Sequence, residues 1–159
     1  MQYAIEIKNL CKQYPKFALQ SVSFTLPMGY IMGFIGENGA GKTTVMKSML
    51  HLVRPDSGTV LVLGQDDRKE NAALKQQIGV ELDTANFPQS FTTQDVHQML
   101  KRVYSKWDGA LYQRYLEQFH LPEKKKFKEF SMGMKKKLAV AAALAHHPKL
   151  LILDEVTAG

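Results

Sequence analysis

Apolar and polar residues alternate from Tyr3 to Lys8, with Ile5 and Ile7 on one side, and this period of two predicts a strand. Leu19 to Leu26 repeats the pattern, with Val22, Phe24 and Leu26 on one face. Between them Lys12-Gln13-Tyr14-Pro15-Lys16-Phe17 reads as a turn that exposes an aromatic ring. Pro27-Met28-Gly29 is a second turn, and Ile31-Met32-Gly33-Phe34-Ile35 after it is apolar enough for a buried strand. Thr44 to His51 reads as a helix with Val45, Met49 and Leu52 on one side. Arg54-Pro55-Asp56-Ser57-Gly58 breaks the chain, and Thr59 to Leu63 is a short apolar strand. Asp67 to Gln77 is expected to be helical, and Ile78 to Leu82 is a further strand.

The pattern changes after Asp83. Through Phe91 the chain is a polar, Pro-containing loop. Thr93 to Tyr104 then carries Val96, Met99, Leu100 and Val103 at helical spacing, with Thr92 or Thr93 as cap. Asp108 to Phe119 repeats this with Leu111, Tyr115, Leu116 and Phe119. Ser131 caps another helix running to about His146, and Pro148 follows its end. Leu150-Leu151-Ile152-Leu153 is wholly apolar, as in a central parallel strand. Residues 84–140 therefore read as a helical insert in an α/β core made of 1–83 and 141–159.

Composition narrows the class. A chain of 159 residues with 45% hydrophobic content suits one globular domain. The longest uncharged apolar run, Leu138 to Ala145, is too short to span a bilayer, and the opening residues alternate like a strand rather than like a signal peptide. The single Cys11 has no internal partner for a disulfide, which favours a reducing compartment. The net charge of +6 owes much to Lys124, Lys125, Lys126, Lys128, Lys135, Lys136 and Lys137. Such clusters suit nucleic acid or a membrane surface, but the plainer reading is a solvated face that also favours an anionic nucleotide.

Gly36-Glu37-Asn38-Gly39-Ala40-Gly41-Lys42-Thr43-Thr44 fits the phosphate-binding template of Gly, four residues, Gly-Lys-Ser/Thr. Glycines let successive backbone N–H groups approach phosphate oxygens. Lys42 supplies an ammonium for the β- and γ-phosphates, and the Thr43 hydroxyl is a hard oxygen suited to Mg²⁺. A helix N-terminus following the loop is itself an anion site. Asp154 and Glu155 end the apolar strand, where ligands of open α/β sheets sit. Asp154 is positioned to hold Mg²⁺ and Glu155 to act as general base on an attacking water. Phe130-Ser131-Met132-Gly133-Met134-Lys135-Lys136-Lys137 is a third feature, either a second anion site or an ordinary capped helix.

These motifs together resemble the nucleotide-binding domain of an ATP-binding cassette (ABC) transporter, along the whole of Tyr3 to Gly159. Gly36–Thr44 is similar to the Walker A motif, and Leu150–Glu155 to Walker B followed by the catalytic Glu. Phe130–Met134 stands where the family has its Leu-Ser-Gly-Gly-Gln signature, and Ser131 precedes Asp154 by 23 residues, the family's spacing. Ser131 and Gly133 match; Phe130, Met132 and Met134 depart, in a form that resembles bacterial antibiotic- and multidrug-resistance exporters. Tyr14 stands where the family's adenine-stacking aromatic lies.

The resemblance implies an α/β fold: a P-loop NTPase (RecA-like) core with an N-terminal antiparallel β region and a helical subdomain. It implies binding and hydrolysis of ATP with Mg²⁺, to drive transport by a partner permease. Tyr14, Asn38, Gly39, Ala40, Gly41, Lys42, Thr43 and Thr44 would hold the nucleotide, with Thr43, Asp154 and Asp83 on the metal. Glu155 and Lys42 would be catalytic. Ser131 and Gly133 would touch the nucleotide of a second such domain in a head-to-tail dimer. The expected partners are ATP, a transmembrane permease subunit and that second domain, without nucleic acid, at the cytoplasmic face of the membrane.

Asp83 stands where the family usually has Gln, and Val156 where it has Pro or Ala. The sequence stops at Gly159, before the family's dimer-contacting Asp loop and switch His, so a missing C-terminal part and little turnover by this chain alone are expected. His51, His97, His120, His146 and His147 match no switch position and are expected at the surface or packing helix ends. Two other classes stay open: a non-transport cassette ATPase, and a nucleotide-binding regulatory module without turnover.

Overall fold

A computed structural model describes residues 2–66, 71–82 and 87–154. It falls into two compact units, Met1–Leu74 and Lys75–Gly159.

In the first unit β1 (Tyr3–Tyr14) and β2 (Phe17–Pro27) form a long antiparallel hairpin whose turn is only Pro15 and Lys16. Lys12, Gln13, Tyr14 and Phe17, expected in a turn, are therefore in the strands, Tyr14 facing Phe17. Their polar side chains hid the ladder, which depends on backbone groups. Register irregularities around Leu10 also shift the alternation, which is why the strand read in the sequence ends at Lys8. On the other side of β1 lies β3 (Ser57–Val62), with Ile5 opposite Val62 and Ile7 opposite Val60. A short β4 (Gln65–Asp66) completes the sheet in the order β2-β1-β3-β4. Helix α1 (Lys42–Met49) packs along β3 and buries Val45, Met46 and Met49.

Two expectations for this unit fail. Ile31–Ile35 is not a strand: it runs without regular structure, with Ile31 100% and Ile35 97% exposed. Apolarity favours burial, but a strand also needs a neighbour for its backbone groups, and none of the described residues pairs with it. Phe34 alone finds cover, edge-on to Phe24 at 5.1 Å. Leu52 is also exposed rather than in line with Val45 and Met49, because His51 turns left-handed (φ 58°) just past α1 and ends the helical spacing. Of the helix expected over 67–77, residues 67–70 lie outside the described residues; a single turn, α2 (Ala72–Lys75), begins where Asn71 Oδ1 accepts from Leu74 N.

In the second unit β5 (Ile78–Glu81) pairs in parallel with β6 (Leu150–Leu153), from Ile78 opposite Leu150 to Glu81 opposite Leu153. Helix α3 (Thr93–Val103) starts in a full capping box, in which Thr92 and Asp95 satisfy each other's backbone N–H groups. Those bonds, the backbone N–H of Thr92 first, hold the Asp95 carboxyl below the usual range. Asp108 caps α4 (Gly109–Gln118) through Leu111 N at 2.8 Å, and Ser131 caps α5 (Met132–Leu144) through Met134 N at 3.2 Å.

The three helices enclose a core of Val96, Tyr112, Leu116, Phe127, Phe130 and Leu138. Val103 lies outside it, 54% exposed at the end of α3. Tyr112 is absent from the helical stripe read in the sequence, yet it is 1% exposed. Its hydroxyl donates to Thr93 O at 3.1 Å, which makes its burial affordable, and burial raises its pKa. Tyr112→Phe is expected to lower stability by about 1 kcal/mol, the worth of one buried neutral hydrogen bond, measurable by urea unfolding.

The C-terminal end of α5 sits directly on β5. His146 is 1% exposed, with Nε2 3.2 Å from Ile78 O and its ring stacked on Tyr104 at 3.9 Å. Burial lowers its pKa. His97 accepts from Trp107 Nε1, and His147 pairs with Asp108 at 3.1 Å. His146 and His147 thus join elements just past the end of α5, as the sequence suggested, whereas His97 does so from the middle of α3.

Candidate functional site

Residues 36–41 form a loop that turns back on itself: Ala40 N donates to Glu37 O, and Gly39 and Gly41 are left-handed at φ 86° and 95°. Side chains other than glycine are strained there. Gly41 is the N-cap of α1 and offers no side-chain acceptor, and the first turn of α1 has no acidic residue. The initial N–H groups of the helix are thus not capped by Gly41, the arrangement an anion can exploit. The Lys42 ammonium curls over the loop to donate to Gly36 O at 2.6 Å and Glu37 O at 2.9 Å. Gly36, Asn38, Gly39, Ala40 and Thr43 are exposed. Ammonium, hydroxyl and backbone donors fit a polyphosphate, and the loop's one carboxylate, Glu37, is exposed.

The hairpin carries the loop. A Cβ on Gly41 would stand 2.5 Å from Leu19 Cδ2 and 2.6 Å from Phe17 Cζ, so the loop's last glycine rests on two β2 side chains. Tyr14 is half-buried and stacked on Phe17, with ring centroids 6.3 Å apart. Tyr14 faces Phe17 across the hairpin and Lys12 faces Leu19, so all four share one face. The structure therefore brings Tyr14 and the phosphate loop onto the same support.

In the second unit Asp154 follows β6 and is 5% exposed; its N–H donates to Glu81 O at 2.9 Å. Glu81, 2% exposed, ends β5, so two buried carboxylates lie at the carboxyl ends of adjacent parallel strands. Asp83 and Glu155, expected as metal ligand and catalytic base, lie outside the described residues. Ser131 Oγ accepts the capping N–H of Met134 and keeps its own O–H to donate, Gly133 faces open space and Met132 is exposed. Lys135, whose charge opposes the helix dipole, sets its ammonium 5.0 Å over the Phe127 ring, a local compensation not foreseen from the sequence. Glu81 was also missed. Its signal was present: a carboxylate in an otherwise apolar segment read as a strand is costly to bury.

Among the described residues no three His, Cys, Asp or Glu side chains converge as a metal site, and no helix is long and apolar enough to cross a membrane. Residues 19–158 match the family model described as ABC transporter. The chain belongs to the ABC transporter family. It is 37% identical over 158 residues to the bacitracin transport ATP-binding protein BcrA of Enterococcus faecalis, covering 98% of this chain and 51% of that protein. It is also 37% identical to the linearmycin resistance ATP-binding protein LnrL of Bacillus subtilis (strain 168), covering 98% and 52%. This ABC chain thus spans about half the length of the curated relatives it matches. A solved structure described as the ATP binding subunit of an ABC transporter superposes with a TM-score of 0.85 at 26% identity, covering 98% of this chain and 67% of that one. The expected α/β P-loop fold with an antiparallel N-terminal sheet is the fold of this ABC chain.

Proposed function

We propose that the chain is the nucleotide-binding part of an ATPase subunit that drives export through a partner membrane protein. The observation that carries this reading is the loop at 36–41, closed by glycines, crossed by Lys42 and opening on the N-terminus of α1 without a side-chain cap. In this reading the backbone of Asn38 to Thr44 and the Lys42 ammonium hold the phosphates, and Tyr14 stacks on the adenine. The core is 1–83 and 141–159, with 84–140 as the helical subdomain. The relatives named for bacitracin transport and linearmycin resistance support an antibiotic-type cargo.

Thr43, exposed at the head of α1, and Asp154, buried at the end of β6, supply hard oxygen atoms and fit Mg²⁺; Asp83 is the third proposed contact. When bound, Mg²⁺ neutralises phosphate charge. Glu155 orients and deprotonates the attacking water. Ser131 and Gly133 meet the nucleotide of a second copy or a related domain. The partner permease places the subunit at the cytoplasmic face of the membrane.

Phosphate release from Mg-ATP, measured for the protein with its membrane partner, tests the function; no release above background would leave only a binding module. Asp154→Asn is expected to reduce the gain in ATP affinity that Mg²⁺ gives by about tenfold, while affinity in EDTA stays near wild type. Equal losses with and without metal would remove Asp154 from the metal site.

A further inference from the structure

β1 has a neighbour on each side for most of its length, but its ladder with β3 stops at Cys11 opposite Ser57. Beyond that point Lys12, Gln13 and Tyr14 pair only with β2. The N–H of Gln13 on the open side would normally need water or the next residue of β3. It donates instead to Asp56 Oδ2 at 2.7 Å. The other carboxylate oxygen accepts from Lys12 Nζ at 2.8 Å, and Asp56 N donates to Cys11 O at 2.9 Å. One aspartate thus makes three contacts that continue the ladder where β3 has turned away at Pro55.

The consequence reaches Tyr14. Lys12 and Tyr14 lie on the same face of β1, two residues apart, and the Lys12 ammonium held by Asp56 stands 5.8 Å from the centre of the Tyr14 ring. The lysine side chain is 21% exposed, and the Asp56 side chain 48%. Tyr14 thereby has two neighbours that hold it, Phe17 across the hairpin and Lys12 along the strand. A cation and an aromatic ring packed near it restrict the rotamers of an otherwise half-exposed tyrosine.

We propose that Asp56 is a positioning residue for nucleotide recognition: through Gln13 N–H and the Lys12 ammonium it fixes the end of β1, so that the Tyr14 ring is set in place before adenine arrives. This rests on the reading of Tyr14 as the adenine platform. Asp56 itself touches no ligand. It lies at the start of β3, on the opposite side of β1 from the hairpin partner that supports the phosphate loop. Its influence should therefore fall on the base and not on the phosphates.

The test compares affinities of the full chain for Mg-ATP and for inorganic tripolyphosphate, which has the phosphates but no base. Tyr14→Ala should weaken ATP by about 5–100-fold, the range of one base–aromatic stack, and leave tripolyphosphate unchanged. Asp56→Asn should weaken ATP by about 3–10-fold, as expected for a charge-assisted contact partly screened by solvent, again without effect on tripolyphosphate. Lys12→Met should match it, and the double variant should be no worse than either single one, because both act through one pair. An Asp56 that merely supported the fold would weaken both ligands alike and lower the melting temperature in parallel. If Tyr14→Ala selectively weakens ATP while Asp56→Asn weakens neither ligand or both alike, the positioning role is overturned and the platform stands. If Tyr14→Ala leaves ATP affinity unchanged, the platform reading fails, and the role of Asp56 with it.

Discussion

Replacing Lys42 by alanine is expected to lower affinity for ATP by about 10–100-fold, the effect of losing one charge-assisted contact to phosphate. The fold should scarcely notice. The two carbonyls that Lys42 satisfies, Gly36 O and Glu37 O, belong to exposed residues and can turn to water instead. The loop keeps its shape through Ala40 N–H to Glu37 O, the left-handed glycines and the seat of Gly41 on Phe17 and Leu19. Titration with a fluorescent ATP analogue gives the affinity, and a melting curve gives the control. An unchanged affinity would mean that the loop does not hold phosphate. A collapse of the melting temperature would mean that Lys42 is structural.

The largest effect on stability is expected at Gly79. A Cβ there would lie 2.5 Å from Ala143 O, 2.9 Å from Leu151 Cδ1 and 3.0 Å from Pro148 Cγ. The nearest of these is backbone, so no rotamer change relieves the clash; α5 must lift away from β5. Overpacking of this kind costs about 1–3 kcal/mol or more, which corresponds to several degrees of melting temperature. The same movement would disturb the Ile78–His146 contact and the register that sets Asp154 beside Glu81. Gly133→Ala is the contrast. Its Cβ meets nothing within 4 Å and it lies inside α5, so alanine should raise helix stability by about 0.5–1 kcal/mol. Urea unfolding of both variants checks the pair. A Gly79→Ala protein as stable as wild type would contradict the close approach of helix and strand.

The parts of this fold that were legible in the sequence are those specified locally. Thr92, Asp108 and Ser131 announce α3, α4 and α5 because a capping side chain acts within three residues of itself. The glycine spacing of 36–41 announces the loop for the same reason. Features that depend on a distant neighbour were not legible. Ile31–Ile35 has the composition of a core strand, but pairing is a property of two segments, and this one is not paired with any described residue. Lys12 and Gln13 look like turn residues, yet their strand is completed by β2 and by a carboxylate 43 residues away from Gln13. Tyr112 and His146 are polar residues whose burial depends on partners, Thr93 O and Ile78 O, that no local pattern reveals. Of the candidate site, Lys42, Tyr14 and the loop glycines could be placed on one support in the first unit, and Asp154 beside an unforeseen Glu81 in the second.

The parallel pairing of β5 with β6 has a consequence for how the chain folds. Ile78 waits for Leu150, and the roughly seventy residues between them include all of α3, α4 and α5. Closing so long a loop is slow for an extended chain and much easier once those helices have drawn together. The helical core should therefore assemble first, with the two-stranded sheet closing over it as a late step. During synthesis at about 5–20 residues per second, the edge of β5 stands open for roughly 4–14 s before its partner leaves the ribosome. Over that interval the β5 backbone groups that later pair with β6 are met by water, an open edge that the growing chain must keep from pairing elsewhere.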